Sequence, residues 1–344
     1  MNTPEFIAAQ AMTVELAGAK AIRAQGIENV ARVVASVNVP VIGLVKSYTS
    51  DSDVYITPTV EDVLALEKAG ADIVAVDAMQ VYREMNIGTA KPTASDQQLV
   101  PHHCIDLVDP SQRFTVTQFQ EAARGELAKL EESGNTALLV AGTGLYLTAV
   151  IDNLEFPGEW PDVRAELEEN HNTTLLFAQL KQLDPVAAER IEPTNRRRMI
   201  RALEVCIGSG RPFSDSGPGT SAYPENGIVQ IGLRWKREVL AQRIADRVDA
   251  MLDDGLLKET KALLRRRPAM SATARQALGY KEMADHIEGR ASLSEAKEEL
   301  VLRTRQFAVR QERWFRRDPR ITWVEVHKDP VAEVMPYVLR ALKA

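Results

Sequence analysis

The sequence predicts an α/β protein, a parallel sheet flanked by helices with a helical insertion. Three observations carry this reading. Short apolar, β-branched runs alternate with helical patterns from residue 19 to residue 140. From about 156 to 222 the sequence is helix-rich, up to a Gly-, Pro- and Ser-rich stretch at its end. The 344 residues are 45% hydrophobic and 26% charged, an ordinary globular mixture rather than a collagen, a coiled coil or a disordered chain. At roughly 150 residues per domain this length suggests about two domains.

The elements follow in order. Residues 19–23 are a short strand candidate. Residues 26–37 place Ile27, Val30, Val33 and Val34 on one helical face. Residues 40–45 (PVIGLV) read as a buried strand. A helix follows Thr59, with Glu61 and Asp62 in its first turn and Gly70 at its end. Residues 72–77 (DIVAVD) are another buried strand, residues 118–132 an amphipathic helix and residues 137–140 a strand leading into Gly142-Thr143-Gly144. Strands alternating with helices imply parallel pairing with right-handed crossovers. Beyond this, one helix starts after Pro161, another at Asp184-Pro185, and a third runs from 194 towards Gly208 and Gly210. Residues 211–227, rich in Gly, Pro and Ser, read as a mobile loop. A strand at 227–235, helices from 236 to about 315 and a last strand at 321–326 complete the chain, with no internal repeat.

Charge is unevenly spread. The net charge is −6, which argues mildly against a generic nucleic-acid binder. Residues 1–80, however, hold 5 Lys/Arg against 10 Asp/Glu, and the rest of the chain is near neutral with 37 against 38. Residues 303–320 hold seven Arg against Glu312 and Asp318, interleaved with Phe307, Trp314 and Phe315. Such spacing suits either a phosphate backbone or a solvated face with its aromatics packed inward. No apolar run approaches the ~18–20 residues of a membrane span. No basic start followed by an apolar core opens the chain, and two cysteines, Cys104 and Cys206, suit a reducing compartment, so a cytoplasmic protein is expected.

Ligands of parallel sheets sit beyond the carboxyl ends of the strands. The pattern puts Arg23, Lys46, Asp77 and Thr143 there. Asp77 suits a general base or a metal ligand, and equally a turn former or helix cap. Thr143, between two glycines, suits phosphate approach to backbone N–H groups, though such turns are common. His102-His103-Cys104 resembles a metal cluster, but adjacent side chains converge poorly on one ion and no partner spacing lies nearby; no metal-ligating cluster is expected. Neither G-x-x-x-x-G-K-[ST] nor G-x-G-x-x-G occurs.

From Asp77 onwards the chain resembles the bacterial tRNA dimethylallyltransferase (isopentenyl-pyrophosphate transferase) family. The motifs that carry this are DAMQVYREMNIGTAKP (77–92), VPHHCIDLVDPSQRFTVTQF (100–119), VAGTGLYLTAV (140–150), NRRRMIRALEV (195–205), LAQRIADRVDAMLDDGLL (240–257), ARQALGYKE (274–282) and TRQFAVRQERWFRRD (304–318), in the family's order and spacing. The resemblance implies transfer of a dimethylallyl group from its diphosphate to N6 of the adenosine 3′ of the anticodon, with that base flipped from its stack. It implies Asp77 as general base, and Thr143 and Arg243 at the diphosphate leaving group near Mg²⁺. It assigns the flipped base to the segment of Ala78, Met79 and Gln80. It assigns tRNA contact to Arg197, Arg198, Met199, Ile200 and Arg201, to Gln276, Ala277, Leu278, Gly279, Tyr280 and Lys281, and to Arg164 beside the insertion that closes on the anticodon stem. Partners expected are the tRNA anticodon stem-loop and dimethylallyl diphosphate, with no membrane and a monomeric chain.

Two departures bear on activity. The family's G-x-T-x-x-G-K-[ST] loop, which holds the diphosphate, is absent before the Asp77 strand, and the family's Asp-Ser pair is Asp77-Ala78. The expected fold is therefore a P-loop-transferase-like core without its P-loop. Residues 4–77 instead resemble part of N-acetylmannosamine-6-phosphate 2-epimerase, a TIM-barrel family, through AGAKAIRAQGIENV (17–30), VPVIGLVKSYTSDSDVYITPTVEDV (39–63) and AGADIVAVDA (69–78). That resemblance implies Lys46 as a catalytic lysine and Arg23 as a substrate contact, on a fragment too short to close a barrel. The expected domains are a β/α fragment at 1–77, a transferase core at 78–155 and 223–344, and the helical insertion at 156–222. The chain reads as a chimera whose function is prenyl transfer to tRNA, impaired by the missing loop. Epimerase-like activity and tRNA binding without catalysis are the alternatives.

Overall fold

The structure, a computed structural model, describes residues 22–25, 41–44, 71–217 and 219–341. The helices expected at 26–37 and after Thr59, and Lys46, lie outside the described residues.

The parallel α/β architecture is present, with its strands in three ladders. β1 (Ile22–Gln25) and β2 (Val41–Leu44) pair in parallel. β3 (Ala71–Val76) lies between β4 (His102–His103) and β5 (Thr136–Ala141), parallel to both. β6 (Gln230–Trp235) and β7 (Ile321–Val326) form the third parallel pair. Alternation with helices dictates strand direction but not which edges meet, so the number of ladders was not readable from the pattern. Expected to lie beyond the end of its strand, Arg23 is instead inside β1, because that strand begins three residues later than its sequence suggests.

β3 is buried because its ADIVAV run has apolar neighbours on both faces: Val74 and Val76 have no exposed surface. Helix α1 (Ala94–Leu99) is started by a Thr93–Asp96 capping box. Helix α2 (Val116–Glu132) is started by a Thr115–Gln118 box, which moves its start two residues ahead of the apolar pattern. Helix α3 (Gly144–Ile151) follows β5 directly. α2, α3 and β3 share a core of Tyr82, Met85, Phe119 and Val150 with Val248, Leu256 and Met283 from the C-terminal helices.

The inserted region has its own core. Helices α4 (Pro161–Glu169), α5 (Thr173–Leu183), α6 (Pro185–Arg190) and α7 (Arg196–Ser209) gather Leu167, Leu176, Leu180, Met199 and Leu203. α7 ends where Gly210 takes φ +69°, a left-handed cap that suits glycine. The segment read as a mobile loop starts with a 3-10 turn at Phe213–Asp215. There buried Asp184, the N-cap of α6, accepts hydrogen bonds from the Ser214 N–H and hydroxyl at 2.7 and 2.9 Å.

The C-terminal part is helical as patterned: α8 (Arg237–Asp253), α9 (Leu256–Leu264), α10 (Ala272–Arg275), α11 (Tyr280–Ile287), α12 (Leu293–Phe315) and α13 (Pro330–Ala341). Among the described residues no helix is long and apolar enough to cross a membrane.

Candidate active site

β3 and β5 end side by side, and their first loop residues build the site. Asp77 Oδ1 accepts the main-chain N–H groups of Met79 at 2.7 Å and Gln80 at 3.1 Å. One carboxylate oxygen thus shapes the turn, as the turn-forming reading of Asp77 requires. The other oxygen, Oδ2, accepts no hydrogen bond among the described residues and lies 3.6 Å from where a Cβ on Gly142 would sit. The turn therefore uses one oxygen of the side chain and leaves the other without a hydrogen-bond partner among the described residues.

Thr143 Oγ1 accepts the N–H of Ala78 at 3.2 Å, which leaves its own hydrogen available to donate. This contact fastens the β5 turn to the β3 turn. Gln311 on α12 adds a second fastening, Nε2 to the Gly142 carbonyl at 2.7 Å. A Cβ on Gly144 would lie 2.2 Å from the Trp314 ring, so glycine there permits Trp314 to cover the turn.

Arg243 on α8 stacks on Trp235 at the end of β6, 4.4 Å from the ring centroid. Arg247, one turn later, is a residue that sequence reasoning missed. Burial lowers its pKa, the negative charge of Asp77 works the other way, and Arg243 adds to the lowering. The four-residue spacing in LAQRIADRVDAML puts both arginines on one face and was the signal available. Tyr146 also sits in the field of Asp77; burial first, then Tyr82 and Asp77, push its hydroxyl up to about 12.

The segment after Asp77 is held by side chains from distant elements. Gln80 Nε2 donates to the carbonyls of Thr89 at 3.1 Å and Ala90 at 3.2 Å. Tyr280 accepts the Gly88 N–H at 3.2 Å and donates to Glu259 at 2.6 Å. Tyr280 is 1% exposed and Ala277 3%, so these two members of the expected RNA-contacting segment are core side chains, and Gly279 is buried too. Gln276 is exposed, Leu278 and Lys281 are half-buried, and Lys281 pairs with Asp285 at 3.1 Å. In the other segment Met199 and Ile200 are buried while Arg197 and Arg198 are exposed. Arg164 and Arg201 both turn to Glu204, 1% exposed, at 3.5 and 3.0 Å; Glu204 also accepts the Trp160 N–H at 2.9 Å. Their charge is largely committed inside the insertion.

His102, His103 and Cys104 diverge. His102 bonds the Val100 carbonyl, His103 lies between Asp72 and Glu126 at 2.9 and 3.0 Å, and Cys104 is buried with its thiol pushed up to about 12 by burial. Among the described residues no group of three or more His, Cys, Asp or Glu is placed to hold a metal. On α12, Phe307 and Trp314 are half-buried while Arg305, Arg310 and Arg313 are exposed, as are Arg316 and Arg317 just past its end. The helix thus turns its aromatics inward and presents its arginines to solvent, as a solvated face with packed aromatics requires.

A carboxylate, a hydroxyl and arginines gathered beyond the carboxyl ends of parallel strands define an α/β enzyme with its site at the strand ends. The family model for IPP transferase matches residues 80–318, and the chain belongs to that family. A tRNA dimethylallyltransferase of Bifidobacterium longum is 45% identical over 265 residues, 76% of this chain and 79% of the relative. One of Pseudarthrobacter chlorophenolicus is 44% identical over 265 residues, 76% and 87% of the two chains. The solved tRNA isopentenylpyrophosphate transferase of Bacillus halodurans aligns with a TM-score of 0.58 at 38% identity, covering 82% of this chain and 91% of that one. A eukaryotic dimethylallyltransferase acting on tRNA shares the fold, with a TM-score of 0.69 at 23% identity over 82% of this chain and 76% of that one. The N-acetylmannosamine-6-phosphate epimerase model matches residues 7–111, which includes most of the fragment identified by sequence and runs past Asp77.

Proposed function

We propose that the chain transfers a dimethylallyl group from dimethylallyl diphosphate to N6 of the adenosine 3′ of the anticodon of tRNA. The observation that carries this is the pairing of Asp77 and Thr143 at adjacent strand ends, joined through the Ala78 N–H. The N6 nitrogen attacks C1 of the dimethylallyl group as the C–O bond to diphosphate breaks. Asp77 Oδ2, the oxygen not used by the turn, takes the N6 proton. The Thr143 hydroxyl donates to the departing diphosphate, and Arg243 and Arg247 offset its charge.

Mg²⁺ entering with the diphosphate fits the Thr143 hydroxyl as an oxygen donor, its other ligands being phosphate and water, as such an ion prefers. Held there it would supply positive charge for the leaving diphosphate, and Asp77 Oδ2 stays free for the N6 proton. Arg197, Arg198, Arg305, Arg310 and Arg313 are exposed, and in this reading they contact tRNA phosphates. The reading carries with it a monomer working in the cytoplasm on the anticodon stem-loop, with the 156–222 helices as the inserted domain.

Without the glycine-lysine loop the rate is reduced, since even one lost oxyanion donor costs about 2.7–4 kcal/mol of transition-state stabilisation. Incubation of labelled dimethylallyl diphosphate with tRNA tests the proposal. Label appears in tRNA above a no-enzyme control, and more appears when a glycine-lysine loop is restored before β3. No transfer by either protein refutes it and leaves tRNA binding without catalysis.

A further inference from the structure

We propose that Arg320 is a positioning residue: it ties the chain entering the inserted helices α4–α7 to the chain leaving them, and so fixes the insertion relative to the strand ends. The clamp rests on the contacts alone. What it registers, an RNA stem against the Asp77 site, rests on the proposed function above.

The chain leaves the core at Asp152, one residue past α3, and returns through Pro224 and Asn226 ahead of β6. Arg320 stands just before β7, the strand paired with β6. Its guanidinium has five N–H hydrogens. Nε donates to Asp318 Oδ1 at 2.9 Å, and Nη2 donates to Asp318 Oδ2 at 2.7 Å and Asp152 Oδ2 at 2.8 Å. Nη1 donates to Asp152 Oδ1 at 2.6 Å and to the Pro224 carbonyl at 2.7 Å. All five hydrogens are used, on three segments far apart in sequence. Asn226 closes the ring: its Nδ2 donates to Asp152 Oδ1 at 3.1 Å and to the Ile151 carbonyl at 3.2 Å. The Asp152 side chain is 3% exposed and that of Arg320 13%, so water and salt screen this pair little.

Little else joins the two bodies. The insertion's core of Leu176, Leu180, Met199 and Leu203 shares no residue with the core around β3. Arg113 reaches Glu159 across the boundary at 3.2 Å, but both side chains are exposed and such a pair contributes little. Two chains fastened at one point hold the insertion in one orientation, whereas two loose chains let it tilt. Lysine could not replace Arg320, since its three hydrogens on one nitrogen cannot form the planar fork that spans two carboxylates and a carbonyl. A stem gripped by the insertion meets the strand ends at an effective concentration set by how freely the insertion moves.

Spin labels on Glu121→Cys in α2 and Ala178→Cys in α5, both exposed positions, read the distance between the two bodies in the full chain, well below its melting temperature; the native Cys104 and Cys206 are buried. The distance distribution is about twofold wider in Arg320→Gln than with Arg320 in place, and wider to a smaller degree in Asn226→Ala, which keeps the ion pairs. Circular dichroism checks that both variants are folded, and Asn226→Ala decides alone if Arg320→Gln is not. Widths equal to that of the unsubstituted neck in the folded variants overturn the clamp. Affinity for a fluorescent anticodon stem-loop falls about tenfold in Arg320→Gln, while affinity for the loop oligonucleotide alone changes less than about twofold. Equal losses for the two RNAs overturn the registering role. If the wild type binds no RNA, the tRNA reading falls, and the distances still decide the clamp.

Discussion

Tyr280 donates its phenolic hydrogen to Glu259 across 2.6 Å, and Glu259 accepts the main-chain N–H groups of Asn86 and Ile87. Helices α9 and α11 thereby hold the loop that follows Asp77. Tyr280→Phe removes a hydrogen bond to a charged acceptor, usually worth about 1.5–3 kcal/mol, and also leaves the Gly88 N–H without its acceptor. Glu259 keeps its two main-chain donors, so a loss of about 2–3 kcal/mol is expected, read as a fall in urea midpoint at unchanged slope. Gly88→Ala loses more, because its Cβ would lie 2.5 Å from the Tyr280 ring and neither the ring nor the loop has room to retreat.

Lys91 and Lys129 provide a contrast in burial. The Lys91 ammonium, 2% exposed, reaches Asp106 at 2.6 Å and the Tyr82 carbonyl at 2.6 Å. Lys91→Met strands both acceptors, and a loss of about 2 kcal/mol is expected. Lys129, 71% exposed, reaches Glu126 at 2.7 Å, and Lys129→Met changes stability by less than about 0.5 kcal/mol. Thermal unfolding of the two variants beside the wild type checks the difference.

Much of this fold was legible because its signals are local. The apolar run of β3, the proline starts of α4 and α6 and the Gly210 stop of α7 each lie within a few residues of what they specify. The Asp77 and Thr143 turns were legible for the same reason. What was hidden depends on long sequence separation. Nothing local says that Gln311 will reach Gly142, or that Tyr280, in a segment read as RNA-facing, will be buried under Gly88. Arg164 and Arg201 read as free cations until Glu204, buried between them, claims both.

Acid should weaken the anchor of the last strand. Burial of Asp318 works against its charge, but hydrogen bonds from Arg320 outweigh that and hold its carboxyl below the usual range. A depressed folded-state pKa contributes stability above the unfolded value, about 3.9, and that contribution is lost as pH falls through the folded value. Arg320 stays charged throughout, its pKa raised by Asp152 and Asp318. Arg320→Gln is therefore less stable than wild type at pH 7, and the gap in melting temperature narrows below about pH 4. A gap that stays constant on acidification contradicts the assignment.

The exposed arginines of α12 should make tRNA binding depend on salt. Arg310 and Arg313 pair with no carboxylate among the described residues, while Arg303 is held by Glu282 and Glu299. Removing one arginine–phosphate interaction lowers the slope of log affinity against log salt by about 0.7–0.9. Arg310→Ala and Arg313→Ala each shift the slope by that amount and weaken binding of different tRNAs alike. Filter binding between roughly 50 and 200 mM salt, the range over which affinity for phosphates falls steeply, reads the slope directly.

The proposed function gives Asp77 two jobs on two oxygens, and two substitutions separate them. Asp77→Asn keeps an Oδ1 that accepts the Met79 and Gln80 N–H groups, so the turn and the position of Gln80 survive. It removes the proton acceptor at the other position, and transfer falls by about 10²- to 10⁴-fold, the usual share of a general base. Stem-loop affinity and melting temperature stay near wild type. Asp77→Ala removes both jobs. It loses transfer to the same degree, and in addition costs about 1 kcal/mol of stability, as a lost cap does. Were Asp77 only a turn former, Asp77→Asn would transfer at the wild-type rate and only Asp77→Ala would be impaired. Rate, melting temperature and stem-loop affinity measured on the same two proteins decide between these outcomes.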